Sequence, residues 1–237
     1  MEVSHVKLHN AGTPALNTQM GPDLKFKIAE AYKTARTNLY FSLVKEGCKK
    51  IVFTSSLSGE GKSTTAVNVA ITLAQEVSTK VLLIDCDLRK PKVNCFFNMT
   101  ASPGLTNFLG GMKNIDDVVR ETDSPNLRVI TGGVVVPNPS ELLSSAKMGA
   151  VVKQMENKFD YIIFDTPPVN VVVDALTLAG IADGFVIVVK EGFSLQPELR
   201  RTIMTLEHAK VKILGVILNG AKLETKGDYG YRYEHNE

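Results

Sequence analysis

The chain has 237 residues, enough for one domain with its own hydrophobic core. Hydrophobic residues make up 44% of it and charged residues 22%, which excludes a disordered or collagen-like chain. The net charge of +2 is too balanced for a nucleic-acid-binding protein, so we expect no nucleic-acid partner. No apolar run approaches the roughly 20 residues of a membrane helix, and the N-terminus lacks a secretory signal, so we expect a cytoplasmic protein.

The predicted elements begin with an irregular leader over residues 1–24 and a helix over residues 25–44. The segment 222–237 holds almost no aliphatic residues, so we expect a tail outside the core. The domain between leader and tail is therefore predicted to span residues 25–221, including the helix. An apolar stripe at helical spacing supports that helix and consists of Ile28, Tyr32, Ala35, Leu39 and Leu43.

Short apolar runs then alternate with helical patterns along the rest of the chain. Because these runs are apolar throughout, they are typical of parallel strands buried on both faces. The alternation predicts an α/β fold with a mostly parallel central sheet, helices on both faces, and ligands at the carboxyl ends of the strands. The predicted strands span residues 50–55, 80–85, 127–131, 160–165, 184–189 and 213–218; the predicted helices span 62–76, 115–121, 140–157, 174–181 and 196–210.

The loop after the first predicted strand has the pattern of a phosphate-binding loop (P-loop). Gly59 and Gly61 let backbone N–H groups turn inward onto phosphate oxygens, while Lys62 can bridge the β and γ phosphates. The pattern departs from the usual one at Ser56, where a glycine is expected. We therefore predict ATP and Mg²⁺ as ligands. The predicted nucleotide-binding residues of this loop are Ser58, Gly59, Glu60, Gly61, Lys62, Ser63 and Thr64.

Three aspartates follow predicted strands. Asp85 and Asp87 stand two residues apart, so they share one side while the strand stays extended, and Asp165 ends the strand over residues 160–165. One such Asp is more often a turn residue than a ligand. Three such aspartates in a chain that also has a P-loop indicate instead that they supply the Mg²⁺ ligands and the base for in-line phosphoryl transfer.

The order of these motifs resembles the bacterial tyrosine kinases of capsule and exopolysaccharide operons. A P-loop is followed by the pattern Asp-x-Asp-x-Arg over residues 85–89 and then by a strand ending in Asp165. Residues 30–36 resemble the family's E-x-x-R-x-x-R helix, with Lys33 in place of the middle Arg. Three of the chain's six tyrosines fall in its last nine residues, as in the family's autophosphorylation tail.

The resemblance implies an ATP-dependent protein-tyrosine kinase with a P-loop NTPase fold, and it implies a role for particular residues. Lys62, Asp85, Asp87 and Asp165 would be catalytic, with Asp85 the base for the tyrosine hydroxyl. Ser63, Asp87 and Asp165 would hold Mg²⁺, and Asn219 would contact the adenine. The implied phosphoacceptors are Tyr229, Tyr231 and Tyr233 on a neighbouring subunit, and the implied oligomer interface contains Glu30, Lys33 and Arg36.

The resemblance also implies partners. These are further copies of the chain in an octameric ring, a membrane adaptor whose cytoplasmic segment activates the kinase, and a tyrosine phosphatase. The kinase would then lie at the inner face of the membrane through its adaptor and regulate capsule or exopolysaccharide synthesis and export.

Two other functions are open to a chain of this pattern. One is a partitioning or cell-division ATPase that acts as a nucleotide-dependent dimer switch; such proteins carry a signature Lys at the position of Leu57, which this chain lacks. The other is a regulatory module that binds nucleotide without catalysis, which the intact Lys62 and the three aspartates disfavour.

Overall fold

The computed structural model describes residues 22–221. Most of the predicted leader and the whole predicted tail, with Tyr229, Tyr231 and Tyr233, lie outside the described residues. Seven strands form one sheet: β1 (Lys49–Ser55), β2 (Val81–Asp85), β3 (Arg120–Glu121), β4 (Leu127–Ile130), β5 (Tyr161–Asp165), β6 (Gly184–Lys190) and β7 (Ile213–Asn219). The helices are α1 (Pro22–Ser42), α2 (Lys62–Ala74), α3 (Val93–Phe96), α4 (Leu105–Leu109), α5 (Pro139–Leu143), α6 (Ala146–Met155) and α7 (Gln196–His208), with 3-10 turns at Ile115–Asp117 and Asp174–Leu178.

The sheet confirms the predicted α/β class. Its strand order is β3-β4-β2-β5-β1-β6-β7, and every neighbouring pair is parallel except β3 with β4. The strand β5 therefore lies at the centre, between β2 and β1, and β1 lies between β5 and β6. Because parallel strands end at the same edge, the carboxyl ends of β1, β2 and β5 meet in the middle of that edge.

Side chains of successive residues in the central strands point to opposite faces of the sheet and pack in two hydrophobic layers, one on each face. Ile51 and Phe53 of β1 pack in the layer that contains α1 and α2, whereas Val52 packs in the layer that contains α6 and α7. All three are fully buried, and each such side chain stabilises the fold by roughly 1.5–3 kcal/mol. The helices on both faces thus hold β1 rigid beneath the loop that follows it.

The predicted helix α1 is present with its apolar stripe, but it begins three residues early. Pro22 starts it, which suits the first position of a helix because the missing N–H has no partner there in any case. Ile28, Tyr32, Leu39 and Leu43 are buried against the sheet layer, and Ala35 is half-buried.

Several predicted elements are corrected by the structure. The predicted helix over 115–121 is one 3-10 turn followed by β3, because Arg120–Glu121 pair with β4 across the sheet edge. The predicted helix over 140–157 is two helices, since Ser145 caps α6 by accepting the N–H of Met148. The predicted helix over 174–181 is a shorter 3-10 turn, Asp174–Leu178. The short helices α3 and α4 were not predicted.

The last strand is also more exposed than its apolar sequence predicts. It lies at the sheet edge, so Val216 and Leu218 remain 46% and 51% exposed instead of buried on both faces. Within residues 22–221, no helix is long and apolar enough to cross a membrane.

Candidate active site

The loop between β1 and α2 has the backbone of a phosphate cradle. Gly59 and Gly61 have φ angles of 92° and 88°, in the left-handed region that favours glycine. A Cβ on Gly61 would also lie only 1.7 Å from the side-chain nitrogen of Asn219. The loop leads directly into the N-terminus of α2, where backbone N–H groups and the helix dipole favour an anion.

The departure from the usual motif at Ser56 has a structural explanation. Ser56 is fully buried, and its Oγ accepts a hydrogen bond of 2.8 Å from the Thr202 hydroxyl of α7. A glycine here would leave the equally buried Thr202 hydroxyl without this partner. The serine therefore ties the start of the P-loop to α7.

Lys62 brings three of the predicted site residues together. Its Nζ donates to Asp165 Oδ1 at 2.8 Å, lies 3.5 Å from Asp87 Oδ2, and lies 3.2 Å from the Ser63 hydroxyl. These three partners are the residues predicted to hold Mg²⁺. The ammonium thus lies among the oxygens that the sequence assigned to a metal ion.

The site is largely buried and has more acidic than basic side chains. Burial acts to lower the pKa of the Lys62 ammonium, but the charges of Asp165 and Asp87 outweigh it and raise that pKa. Burial raises the pKa of the Asp87 carboxyl, an effect that Lys62 partly offsets. Burial, together with the charge of Asp165, raises the pKa of Asp85 to about 8. Two aspartates, Asp87 and Asp165, lie beside one lysine and leave room for further positive charge.

The residues present fit a magnesium ion bound together with a nucleotide. Asp165 Oδ2 is buried and has no hydrogen-bond partner among the described residues, so it is free to accept from a metal-bound water. No group of three His, Cys, Asp or Glu side chains in residues 22–221 is placed to hold a metal by itself. Ser63, Asp87 and Asp165 would therefore share the ion with phosphate oxygens and water, as Mg²⁺ sites commonly do.

Asp85 and Asp87 are placed differently, although the sequence predicts that they share a side. The strand β2 ends at Asp85, and the chain turns at once. The Asp85 carboxyl group is fully buried, and its oxygens accept the backbone N–H groups of Asp87, Lys92 and Val93 at 3.1, 3.0 and 2.9 Å. Asp85 thus holds the turn after β2, while Asp87 reaches Lys62.

A cavity of about 660 Å³ opens in front of this cluster. Its wall contains Lys62, Ser63 and Asp87, but neither Asp85 nor Asp165. Ser58, Gly59, Gly61, Thr64, Lys90, Lys92, Lys190 and Asn219 also line it. A larger cavity of about 950 Å³ lies between α1, α2 and residues 96–99 and 121–127, and it contains none of the predicted catalytic groups.

Asn219, at the end of β7, contacts the P-loop. Its Nδ2 donates to the backbone carbonyl of Glu60 at 3.0 Å, and its buried Oδ1 has no partner among the described residues. The amide therefore lies at the nucleotide cavity with one acceptor unused. Its contact with adenine stays a prediction.

One cluster of polar contacts near the site, around Asp174, was not predicted from the sequence. Arg89 donates to both oxygens of the fully buried Asp174, at 2.8 and 3.1 Å, and the Ser140 hydroxyl donates to the same carboxylate. These contacts join the segments that follow β2, β4 and β5. The pattern over residues 85–89 contained Arg89, but only the fold reveals its partner.

The predicted interface residues on α1 make contacts within the chain. Lys33 pairs with Glu30 at 2.7 Å on an open face, each side chain about half exposed. Arg36 lies 2.5 Å from Glu76 and donates to the Thr72 carbonyl of α2 at 3.3 Å. Glu30 and Lys33 thus remain accessible, whereas Arg36 fastens α1 to α2.

Comparisons with known proteins identify the family. Residues 48–215 match the family model described as an AAA domain. The chain is 41% identical to the tyrosine-protein kinase YwqD of Bacillus subtilis over 86% of this chain and 85% of the relative. It is likewise 41% identical to the tyrosine-protein kinase CpsD of Streptococcus agalactiae, over 86% and 89%. The chain belongs to the bacterial tyrosine-protein kinases.

Structural comparison agrees with this membership. The kinase domain of the Escherichia coli tyrosine kinase ETK superposes with a TM-score of 0.79 at 31% identity, over 87% of this chain and 80% of that one. The cell-division alternative receives less support, because the septum site-determining protein of Pyrococcus horikoshii reaches a TM-score of only 0.61 at 24% identity. That likeness shows the shared P-loop NTPase fold, while the kinase relatives support tyrosine-kinase activity.

Proposed function

We propose that this protein-tyrosine kinase transfers the γ-phosphate of ATP to Tyr229, Tyr231 and Tyr233 on the tail of a neighbouring copy. The observation that carries the proposal is the convergence of Lys62 with Ser63, Asp87 and Asp165 at the front of the P-loop. Such a cluster suits phosphoryl transfer, in which the protein mainly positions the reactants and stabilises charge.

In this proposal Lys62 leaves its carboxylate partners and contacts the phosphates when ATP binds. Ser63, Asp87 and Asp165 are then free to hold the magnesium ion, which would neutralise charge on the phosphate oxygens. The buried surroundings of Lys62 strengthen its attraction to the phosphates, because the local dielectric is low. The tail, which has no other role among the predicted elements, supplies the acceptors.

The base is proposed from the resemblance to be Asp85. The pKa of Asp85 is raised to about 8, so the ionised form that can take a proton predominates only above that pH. In the structure its oxygens accept three backbone N–H groups, and it does not line the cavity. For Asp85 to act as the base, the turn over residues 87–93 must therefore change conformation when the acceptor tyrosine enters the site. Asp87, which already lines the cavity, is the competing candidate.

The same proposal includes the assembly and the site of action. Copies of the chain would form an octameric ring in which Glu30 and Lys33 on the open face of α1 meet a neighbour. A membrane adaptor would bring the kinase to the inner face of the membrane and activate it, and a tyrosine phosphatase would reverse the modification. The family's link to capsule and exopolysaccharide synthesis, which the resemblance implied, defines the regulated process.

A mixing experiment tests transfer between copies. A chain with Lys62→Met but an intact tail is combined with an active chain whose three tail tyrosines are Phe, in Mg-ATP. We expect phosphotyrosine on the tail of the Lys62→Met chain, although that chain alone shows none. If wild type modifies its own tail but no phosphotyrosine appears on the Lys62→Met chain, transfer takes place within one copy. A Lys158→Met chain is the matched control, since Lys158 only approaches Asp116 at 3.9 Å on the surface.

A further inference from the structure

The P-loop contains a buried carboxylate that the chemistry above does not use. Glu60 is 1% exposed and lies between the two left-handed glycines of the loop. Within residues 22–221 no lysine, arginine or histidine forms a salt bridge with it. A buried anion without a cation is unfavourable, and inside a loop that binds phosphates it also repels the ligand. Its burial therefore requires compensating hydrogen-bond donors.

The Glu60 carboxylate is satisfied by two donors from different parts of the site. Its Oε2 accepts the backbone N–H of Leu57 at 2.7 Å, which closes the P-loop on itself. Its Oε1 accepts the hydroxyl of Ser194, from the segment 191–195 that joins β6 to α7. Ser194 in turn accepts the backbone N–H of Lys190 at 2.7 Å. One side chain thus fixes the loop and fastens it to a second segment.

The second segment meets the P-loop beside the nucleotide cavity. A Cβ on Gly59 would lie 3.9 Å from the Phe193 ring, so Phe193 and Ser194 both lie against the loop. Lys190 and Asn219 end β6 and β7 and line the same cavity, across β1 from the aspartate cluster. Asn219 holds the Glu60 carbonyl, so residue 60 is bound through its side chain and its backbone.

We propose that Glu60 is a positioning residue that keeps the P-loop in its nucleotide-binding shape by coupling it to the segment 191–195 through Ser194. The bond to Leu57 fixes the loop before any ligand arrives, so binding does not have to order it. Glu60 does not line the cavity in front of Lys62. The coupling therefore sets nucleotide affinity, while the rate of transfer at saturating ATP depends on Lys62 and the aspartates.

Titration of the full chain with a fluorescent ADP analogue tests the coupling. Glu60→Ala removes both acceptors, and we expect the dissociation constant to rise about tenfold or more, as for loss of hydrogen bonds to a charged group. Glu60→Gln keeps an acceptor and loses the repulsive charge, so it should stay within about threefold of wild type. The kcat for tail phosphorylation at saturating ATP should change by less than about threefold in Ser194→Ala, which removes only the partner of Glu60 in the segment 191–195.

A double-mutant cycle separates this coupling from general loss of stability. Ser194→Ala should weaken binding, and Glu60→Ala with Ser194→Ala should be no weaker than Glu60→Ala alone. Ser144→Ala is the matched control, because Ser144 is exposed and its hydroxyl donates to the Glu141 carbonyl. Additive losses from Glu60→Ala and Ser194→Ala, unchanged affinity in Glu60→Ala, or a fall in kcat alone would overturn the inference. If Glu60→Ala does not fold, Ser194→Ala and Glu60→Gln decide it, and unchanged affinity in Ser194→Ala overturns it.

The inference rests on the proposed nucleotide site, and the two fail in different ways. A wild-type chain that does not bind the analogue contradicts both. A wild-type chain that binds it, with variants that bind equally well, contradicts only the role of Glu60.

Discussion

At the residue scale, the central feature is a lysine that lies among the three residues predicted to bind magnesium. Lys62 contacts Ser63, Asp87 and Asp165, the three predicted magnesium ligands. The sequence assigned Lys62 to the phosphates and the other three residues to magnesium; it did not predict that Lys62 contacts all three, because it does not show which strands are neighbours. It did not predict the turn that takes Asp85 away from Asp87, since that turn depends on backbone N–H groups seven and eight residues along the chain.

Removal of the lysine should open the three oxygens to a metal ion in the absence of nucleotide. Lys62→Met leaves Asp87 and Asp165 without their cation, so we expect it to bind Mn²⁺ about tenfold more tightly than wild type. Electron paramagnetic resonance of free Mn²⁺ measures this, with Lys158→Met as the control. Equal Mn²⁺ affinity in wild type and Lys62→Met would show that the ammonium does not compete with the ion.

The raised pKa of Asp85 predicts a pH dependence of stability. The unfolded chain loses this proton near pH 3.8, whereas the folded chain keeps it up to about pH 8. The folded state therefore binds more protons between these values, and the free energy of unfolding falls as the pH rises through this window. The slope contributed by one such group is at most about 1.4 kcal/mol per pH unit.

Asp85→Asn should flatten this slope, because an amide does not titrate. Urea unfolding of both proteins at pH 5, 6.5 and 8, without nucleotide, measures the difference. The same decline in wild type and Asp85→Asn would assign the pH dependence to other groups.

At the element scale, buried polar contacts fix the loops that surround the cavity. The central strands β1, β2, β5 and β6 were predictable from their apolar runs, whereas β3 was not, because two residues carry no strand pattern until β4 lies beside them. The Arg89–Asp174 pair also could not be predicted, because its two residues lie far apart in the sequence and meet only in the fold. It joins the segments after β2 and β5 and, with Ser140, the start of α5.

Loss of this pair should destabilise the domain. Arg89→Met leaves the fully buried Asp174 carboxylate with fewer donors, and we expect the free energy of unfolding to fall by about 2 kcal/mol, the lower end for breaking a buried pair because Arg89 is partly exposed. Urea unfolding checks this value. Arg128→Met, which removes a pair with the exposed Glu121, should cost less than about 1 kcal/mol. Equal losses in the two variants would contradict a special role for Asp174.

At the scale of the whole molecule, the proposed ring would respond to tail phosphorylation. Each phosphate adds about −1.5 to −2 charge, so three would add about −4.5 to −6 to the tail. Such a tail should leave a neighbour's site, which already holds three aspartates, and the ring should dissociate. Light scattering before and after incubation with Mg-ATP measures this, with a Tyr→Phe tail as the control. An intact ring with fully phosphorylated tails would contradict the proposal.

Phosphosite mapping of the full chain after incubation with Mg-ATP, beside Lys62→Met, tests the central claim most directly. The adaptor's cytoplasmic segment is added to one arm of each reaction. We expect phosphotyrosine within residues 229–233 of wild type and none in Lys62→Met. Release of ADP without phosphotyrosine, even with the adaptor segment present, would contradict the kinase and favour the ATPase switch.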